Sequence, residues 1–225
     1  MRTRFQADLD QLKQKLLAMG GLAEQAIDRA TQAYQLRDLK SCELVIHGER
    51  AINLAEREID ELALDLLAMQ QPMAVDLRFI TAVTKINADL ERVGDQAVNI
   101  VERVMSLAGL PEVELPVDIP RLSGAAGGMI RRALEAFIAG DDVMAEAVLR
   151  MDDIVDRMNR EIFQAVVKLM HEAPEVIPQS LDALLIARNF ERIGDHATNI
   201  AEDVIFWVRG SDVRHHASIA AEQKA

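Results

Sequence analysis

LERVGDQAVNI, residues 90–100, and FERIGDHATNI, residues 190–200, are two versions of one segment. They agree at seven of eleven positions, lie 100 residues apart, and each continues to a further acid, Glu102 and Glu202. Setting Glu91 at zero and advancing 100° per residue places Asp95 at about 40°, Asn99 at about 80° and Glu102 at about 20°. Leu90, Val93, Ala97, Ile100 and Val104 then occupy the opposite face, as do Phe190, Ile193, Ala197, Ile200 and Val204 in the second copy. Each segment is therefore a helix with one core face and one face of oxygen ligands. The chain is an all-α protein built from two copies of one helical unit.

The repeat reaches beyond these eleven residues. AYQLRDLKSCELVIHGERAIN from Ala33 aligns with AFIAGDDVMAEAVLRMDDIVD from Ala136, which sets Glu49 opposite Asp152 and Asn53 opposite Asp156. Breakers divide each copy into three helices. In the first, helices run from about Thr3 to Arg37, from a cap at Asp38 to about Gln70, and from about Asp76 to Leu107 after Pro72. In the second, Pro120 opens a helix, Gly140 and Asp141 stop it and cap the next, and EAPEVIP (172–178) precedes a last helix ending near Arg209. Two similar three-helix bundles are expected, spanning residues 1–108 and 121–209, with the proline-rich GLPEVELPVDIP (109–120) as linker and 210–225 as a loose tail.

Composition narrows the function. Half of the 225 residues are hydrophobic but only 4% are aromatic, a mixture that favours helix. A net charge of -12 opposes nucleic-acid binding, and no stretch interleaves basic and aromatic residues. No leader-like segment or run of about eighteen apolar residues occurs, so a soluble, cytoplasmic chain without direct membrane insertion is expected. Cys42 reads as a packed helix residue, because no nearby His activates it. No Ser, Cys and His constellation suits nucleophilic catalysis, and GAAGG from Gly124 lacks the Lys-Ser/Thr ending of a phosphate loop. No enzymatic activity is expected.

The acidic stripes are the candidate site. Acids at i and i+4 repel by about 0.2 to 0.5 kcal/mol per pair, so a cation is expected to relieve them. Glu91 and Asp95 share a stripe on the third helix, and Glu49, Asn53, Glu56 and Asp60 share one on the second; Glu191 and Asp195 repeat it on the sixth, and Asp152, Asp156 and Asn159 on the fifth. If the second and third helices of each unit lie side by side, four or more oxygen ligands converge on a groove. Such oxygen clusters suit hard divalent or trivalent cations: Mg, Ca, Mn and iron all qualify. Zinc fits less well, since no His falls on the stripes; His47 and His171 read as surface or boundary residues, and His215 and His216 as tail. Gly94 and Gly194 are placed for close helix approach. Two alternatives share this reading: a ferritin-like carboxylate metal store, which would need Glu-x-x-His pairs that are absent here, and a plain helical adaptor whose stripes are solvated faces.

LERVGD and FERIGD, with MGGLAEQAI from Met19, QPMAVDLR from Gln71 and the 100-residue repeat, resemble the PhoU family of accessory regulators of bacterial phosphate-specific transport. The resemblance implies two three-helix bundles, surface metal sites at the acidic motifs and no established catalytic activity. It also implies negative regulation of phosphate uptake and phosphate-starvation signalling. The implied partners are the ATPase subunit of the phosphate ABC transporter and a phosphate-responsive sensor histidine kinase, with a homodimer as the expected assembly. The first half departs from the motif at Asn53, where Glu56 and Asp60 are placed to replace the missing charge.

Overall fold

The computed structural model describes residues 2–211. Its helices are α1 (Arg2–Leu36), α2 (Leu39–Gln70), α3 (Val75–Ala108), α4 (Ile119–Ala139), α5 (Asp142–Glu172) and α6 (Ile177–Arg209), with a 3-10 turn at Pro174–Val176. The described residues contain no β-strand. The tail histidines His215 and His216, like everything after residue 211, lie outside the described residues.

Local chemistry sets the boundaries. Asp38 accepts hydrogen bonds from the Lys40 backbone N–H at 3.0 Å and the Ser41 hydroxyl at 2.8 Å, satisfying donors left over at the start of α2. Gly140 ends α4 at φ +62°, where a side chain would be strained, and Asp141 then accepts from the Met144 N–H at 2.9 Å to start α5. The linker is shorter than the sequence implied. Asp118 caps α4 by accepting from the Arg121 N–H and Pro120 lies in its first turn, so Ile119 and Pro120 belong to the helix and the linker covers 109–118.

The α1–α2–α3 and α4–α5–α6 groups repeat one arrangement, and α3 packs along α6 over the most extensive interhelical face. The core positions named from the repeat all bury completely or nearly so, from Leu90 to Val104 and from Phe190 to Val204. One continuous hydrophobic cluster runs through both groups. Phe79 of α3, Phe137 of α4 and Trp207 of α6 meet at one end of this junction, with ring centroids 5.1 to 5.8 Å apart.

Buried acids join the halves across the same face. Asp89 of α3 accepts from Asn199 of α6 at 3.1 Å and meets His196 Nδ1 at 2.8 Å, and Lys85 of α3 reaches Asp203 of α6 at 3.1 Å. Asp89 and Asp203 thus each have a partner from across the α3–α6 face, which fixes the register of α3 against α6. By its equivalence to Asn99, Asn199 falls on the oxygen-ligand face of the helical wheel; its bond to Asp89 turns it into the junction instead.

Candidate metal centre

Within each half, short connections make the second and third helices antiparallel neighbours, and a glycine sets their spacing. A Cβ on Gly94 would stand 2.9 Å from Ile52 Cδ1, and one on Gly194 would stand 3.2 Å from Val155 Cγ1. Ile52 and Val155 are equivalent positions of the repeat, so both halves use the same close contact. The residues one position along, the amide Asn53 and the acid Asp156, are thereby held beside Glu91 and Asp95 or Glu191 and Asp195.

The electrostatics show which carboxylates converge. In the second half, Asp152 is pushed up to about 6 by burial first, then by Asp156 and Asp195. Glu191 is raised by burial, then by Asp195, against the opposing Arg188. Asp195 is raised too, chiefly by desolvation, although it stands at the exposed edge. In the first half, burial raises Glu91, helped by Asp95, Glu56 and Glu49. Asp95 rises through burial and Glu49, and Glu56 through burial, Asp60 and Asp95.

Asn53 does not leave the first site short of charge. Glu56 stands where the second half has Asn159, so each half presents four carboxylates and one amide: Glu49, Asn53, Glu56, Glu91 and Asp95 against Asp152, Asp156, Asn159, Glu191 and Asp195. The acid and the amide have exchanged turns. Asp60 lies beside Glu56 but accepts a 2.9 Å bond from the Asn87 amide, which itself also donates to the Glu56 carbonyl at 3.0 Å. Asp60 therefore anchors α2 to α3.

Two atoms test whether a cation fits. Glu191 Oε2 and Asn53 Oδ1 are buried without a hydrogen-bond partner, one in each half and both on the stripes. Buried acceptors of this kind are costly unless a donor or cation meets them, and a hard cation suits oxygen of both types. Among the described residues, no three His, Cys, Asp or Glu side chains close around a single point. A bound ion would therefore have to draw the carboxylates in. The stripes line half-buried outer grooves, unlike the bundle-interior ligands of a ferritin-like store. His196, the neighbour of Asp195 in sequence, is engaged with Asp89.

Sequence reasoning missed two arginines. Arg160 Nη1 lies 3.1 Å from Asp156 Oδ2, and Arg188 Nη1 lies 2.5 Å from Glu191 Oε1. Their i,i+4 and i,i+3 spacings were visible, but only the antiparallel pairing puts both guanidiniums at one end of the site.

The PhoU domain pattern matches residues 16–104 and again 119–204. The chain belongs to the PhoU family. Family relatives include the phosphate-specific transport system accessory protein PhoU homolog of Pseudomonas putida, 39% identical over 94% of this chain and 83% of that protein. The accessory protein PhoU of Escherichia coli K12 is 34% identical over 94% of this chain and 88% of that protein. The crystal structure of PhoU from Pseudomonas aeruginosa superposes with a TM-score of 0.87 at 37% identity, covering 92% of this chain and all of that one. PhoU from Streptococcus pneumoniae gives the same TM-score at 28% identity, over 93% and 99%. The doubled pattern falls on the two three-helix groups, so the family's repeat is the repeat seen here.

Metal uptake at the second stripe is expected to weaken below pH 6. Asp152 must lose its proton to bind a cation, so Mn(II) affinity there should fall about tenfold between pH 7 and pH 5. In the metal-free chain the sign for stability is opposite. A carboxyl raised by folding contributes stability that is fully present below its unfolded value of 3.8 and lost as pH rises through about 6. Calorimetric Mn(II) titrations at the two pH values check the first point; equal affinities at both would count against the carboxylate cluster.

Proposed function

We propose that this PhoU-family chain is a cytoplasmic, metal-binding accessory regulator that restrains phosphate uptake and phosphate-starvation signalling. The observation that carries the metal reading is the doubled carboxylate groove, with a buried, unpartnered oxygen in each copy. Asp152, Asp156, Glu191 and Asp195 hold one cation; Glu91, Asp95, Glu49, Asn53 and Glu56 hold the other, with Asp60 supporting the groove. Manganese, iron, magnesium and calcium all suit these oxygen donors.

The relatives are named as accessory proteins of phosphate-specific transport, which supports the regulatory part. No described helix is long and apolar enough to cross a membrane, so action at the transporter runs through protein partners. Those partners are the transporter's ATPase subunit and the sensor histidine kinase, and the family implies them. No reaction is assigned to the chain itself. Metal partly neutralises two acidic surfaces and so makes them compatible with another protein's surface; two similar sites, on one chain or a homodimer, can act bivalently.

Deleting the gene in its native host is expected to raise phosphate-starvation gene expression in phosphate-rich medium, and restoring it to lower that expression. Continued repression in the deletion strain, with no capture of either purified partner in the presence or absence of Mn(II), would sink the regulatory assignment.

A further inference from the structure

One turn beyond the second stripe, towards the α5–α6 connection, an open groove of about 420 Å³ runs between the two helices. Its floor is apolar: Leu184 is partly buried, while Phe163 and Leu185 are 57% and 47% exposed. Its rim carries Arg160 and Arg188. The repeat supplies an internal comparison, because the positions equivalent to Phe163, Leu184, Leu185 and Arg188 are Asp60, Thr84, Lys85 and Ala88. At these positions the first half has polar or small residues, with Lys85 committed to Asp203 across the α3–α6 junction. The second half has an exposed ring, two leucines and an added guanidinium, so duplication alone does not account for the groove.

Both rim arginines rest on groups assigned above to the metal. Arg160 holds Asp156 and Arg188 holds Glu191, and both side chains are more than half exposed. A cation held through both oxygens of Glu191 and of Asp156 takes the open Glu191 Oε2 and competes for Glu191 Oε1 and Asp156 Oδ2, which these guanidiniums now occupy. Once displaced, the guanidiniums have the groove beside them, and each presents a planar fork of donors suited to a carboxylate.

We propose that this groove docks an acidic amphipathic helix of a partner protein, and that cation binding at the second stripe releases Arg160 and Arg188 to receive its carboxylates. Apolar side chains of the partner, one turn apart, sit on Phe163, Leu184 and Leu185, while flanking Asp or Glu side chains meet the arginines. The docking is thereby linked to the metal state of Asp156 and Glu191, and in this respect it rests on the metal reading above.

The test uses the full chain and a labelled, helix-stapled peptide with leucines along one face and glutamates flanking them, beside an isomer with lysines for the glutamates. Fluorescence anisotropy is expected to show the glutamate peptide binding about tenfold more tightly with saturating Mn(II), and more tightly than the lysine isomer. Phe163→Ser should remove binding while leaving Mn(II) uptake intact. Arg160→Gln combined with Arg188→Gln should retain Mn(II) uptake and lose the metal-dependent gain. Normal Mn(II) uptake with no glutamate-peptide binding, or with binding indifferent to Phe163→Ser, overturns the groove alone. Failure of the wild-type chain to take up Mn(II) overturns the metal reading and the gating with it. Metal-induced self-association abolished by Phe163→Ser would assign the groove to a second copy and overturn the choice of partner.

Discussion

Replacing Asp95 and Asp195 together by Ala is expected to weaken metal binding at both proposed sites by about 100-fold, the scale reached when even an outer-shell support is lost. Each aspartate belongs to its half's carboxylate cluster. Asp95 interacts with Glu49, Glu56 and Glu91, and Asp195 with Asp152, Asp156 and Glu191. Removing it takes away one hard ligand and one of four charges. Asp195→Ala alone should spare the first site, because the two sets of ligands lie on separate helix pairs. Neither side chain is part of the hydrophobic core, and in the metal-free state each adds repulsion. The double variant should therefore fold normally and be no less stable than the metal-free parent at pH 7. Elemental analysis of untagged protein, with calorimetric Mn(II) titration, reads both sites; unchanged stoichiometry and affinity in the double variant would remove the basis for metal binding.

What the sequence disclosed follows from what helical periodicity encodes. Period 3.6 tells which face a residue occupies, and so Leu90, Val93, Phe190 and Ile193 were legible as core and Glu91 and Asp195 as groove. Caps were legible because their chemistry is local: Asp38, Gly140 and Asp141 act within one turn. Periodicity does not say which neighbour covers a face. Asn199, near the edge of the stripe, was equally compatible with the groove and the junction, and only the packing of α6 on α3 decides for Asp89. The same limit hid His196, Lys85 and Asp203, whose partners are more than 100 residues away. The equivalence of Glu56 and Asn159 was open to the same offset that pairs Glu49 with Asp152, but that both belong to the groove needed the packing of α2 on α3 and of α5 on α6. Once Gly94 meets Ile52 and Gly194 meets Val155, the exchange of acid and amide between turns becomes readable.

Phe137→Ala is expected to cost about 3 to 5 kcal/mol of stability, the range for truncating a buried aromatic ring. Phe137 is fully buried and stacks on Phe79 at 5.8 Å with 14° between the planes, while Trp207 tilts against it at 5.4 Å. Phe79 belongs to the first three-helix group, whereas Phe137 and Trp207 belong to the second, so the cavity would open where the halves join. The rest of that junction is tied by Arg78 Nε donating to the Trp207 carbonyl at 3.2 Å and by the Asp89 and Asp203 contacts across α3 and α6. With core and buried charges shared in this way, neither half is expected to unfold alone. Trp207 is the chain's one tryptophan and reports on this corner, while circular dichroism reports on all the helices. In urea the two signals should give coincident transitions for the parent, and Phe137→Ala should shift both to lower denaturant together. Mn(II) at 100 times its dissociation constant should restore about 2.7 kcal/mol per occupied site, since the ligands are brought together only in the folded chain. A tryptophan transition that precedes the helical one in the parent would mean that the halves part before they melt, and the shared core would then be a contact between two independent bundles.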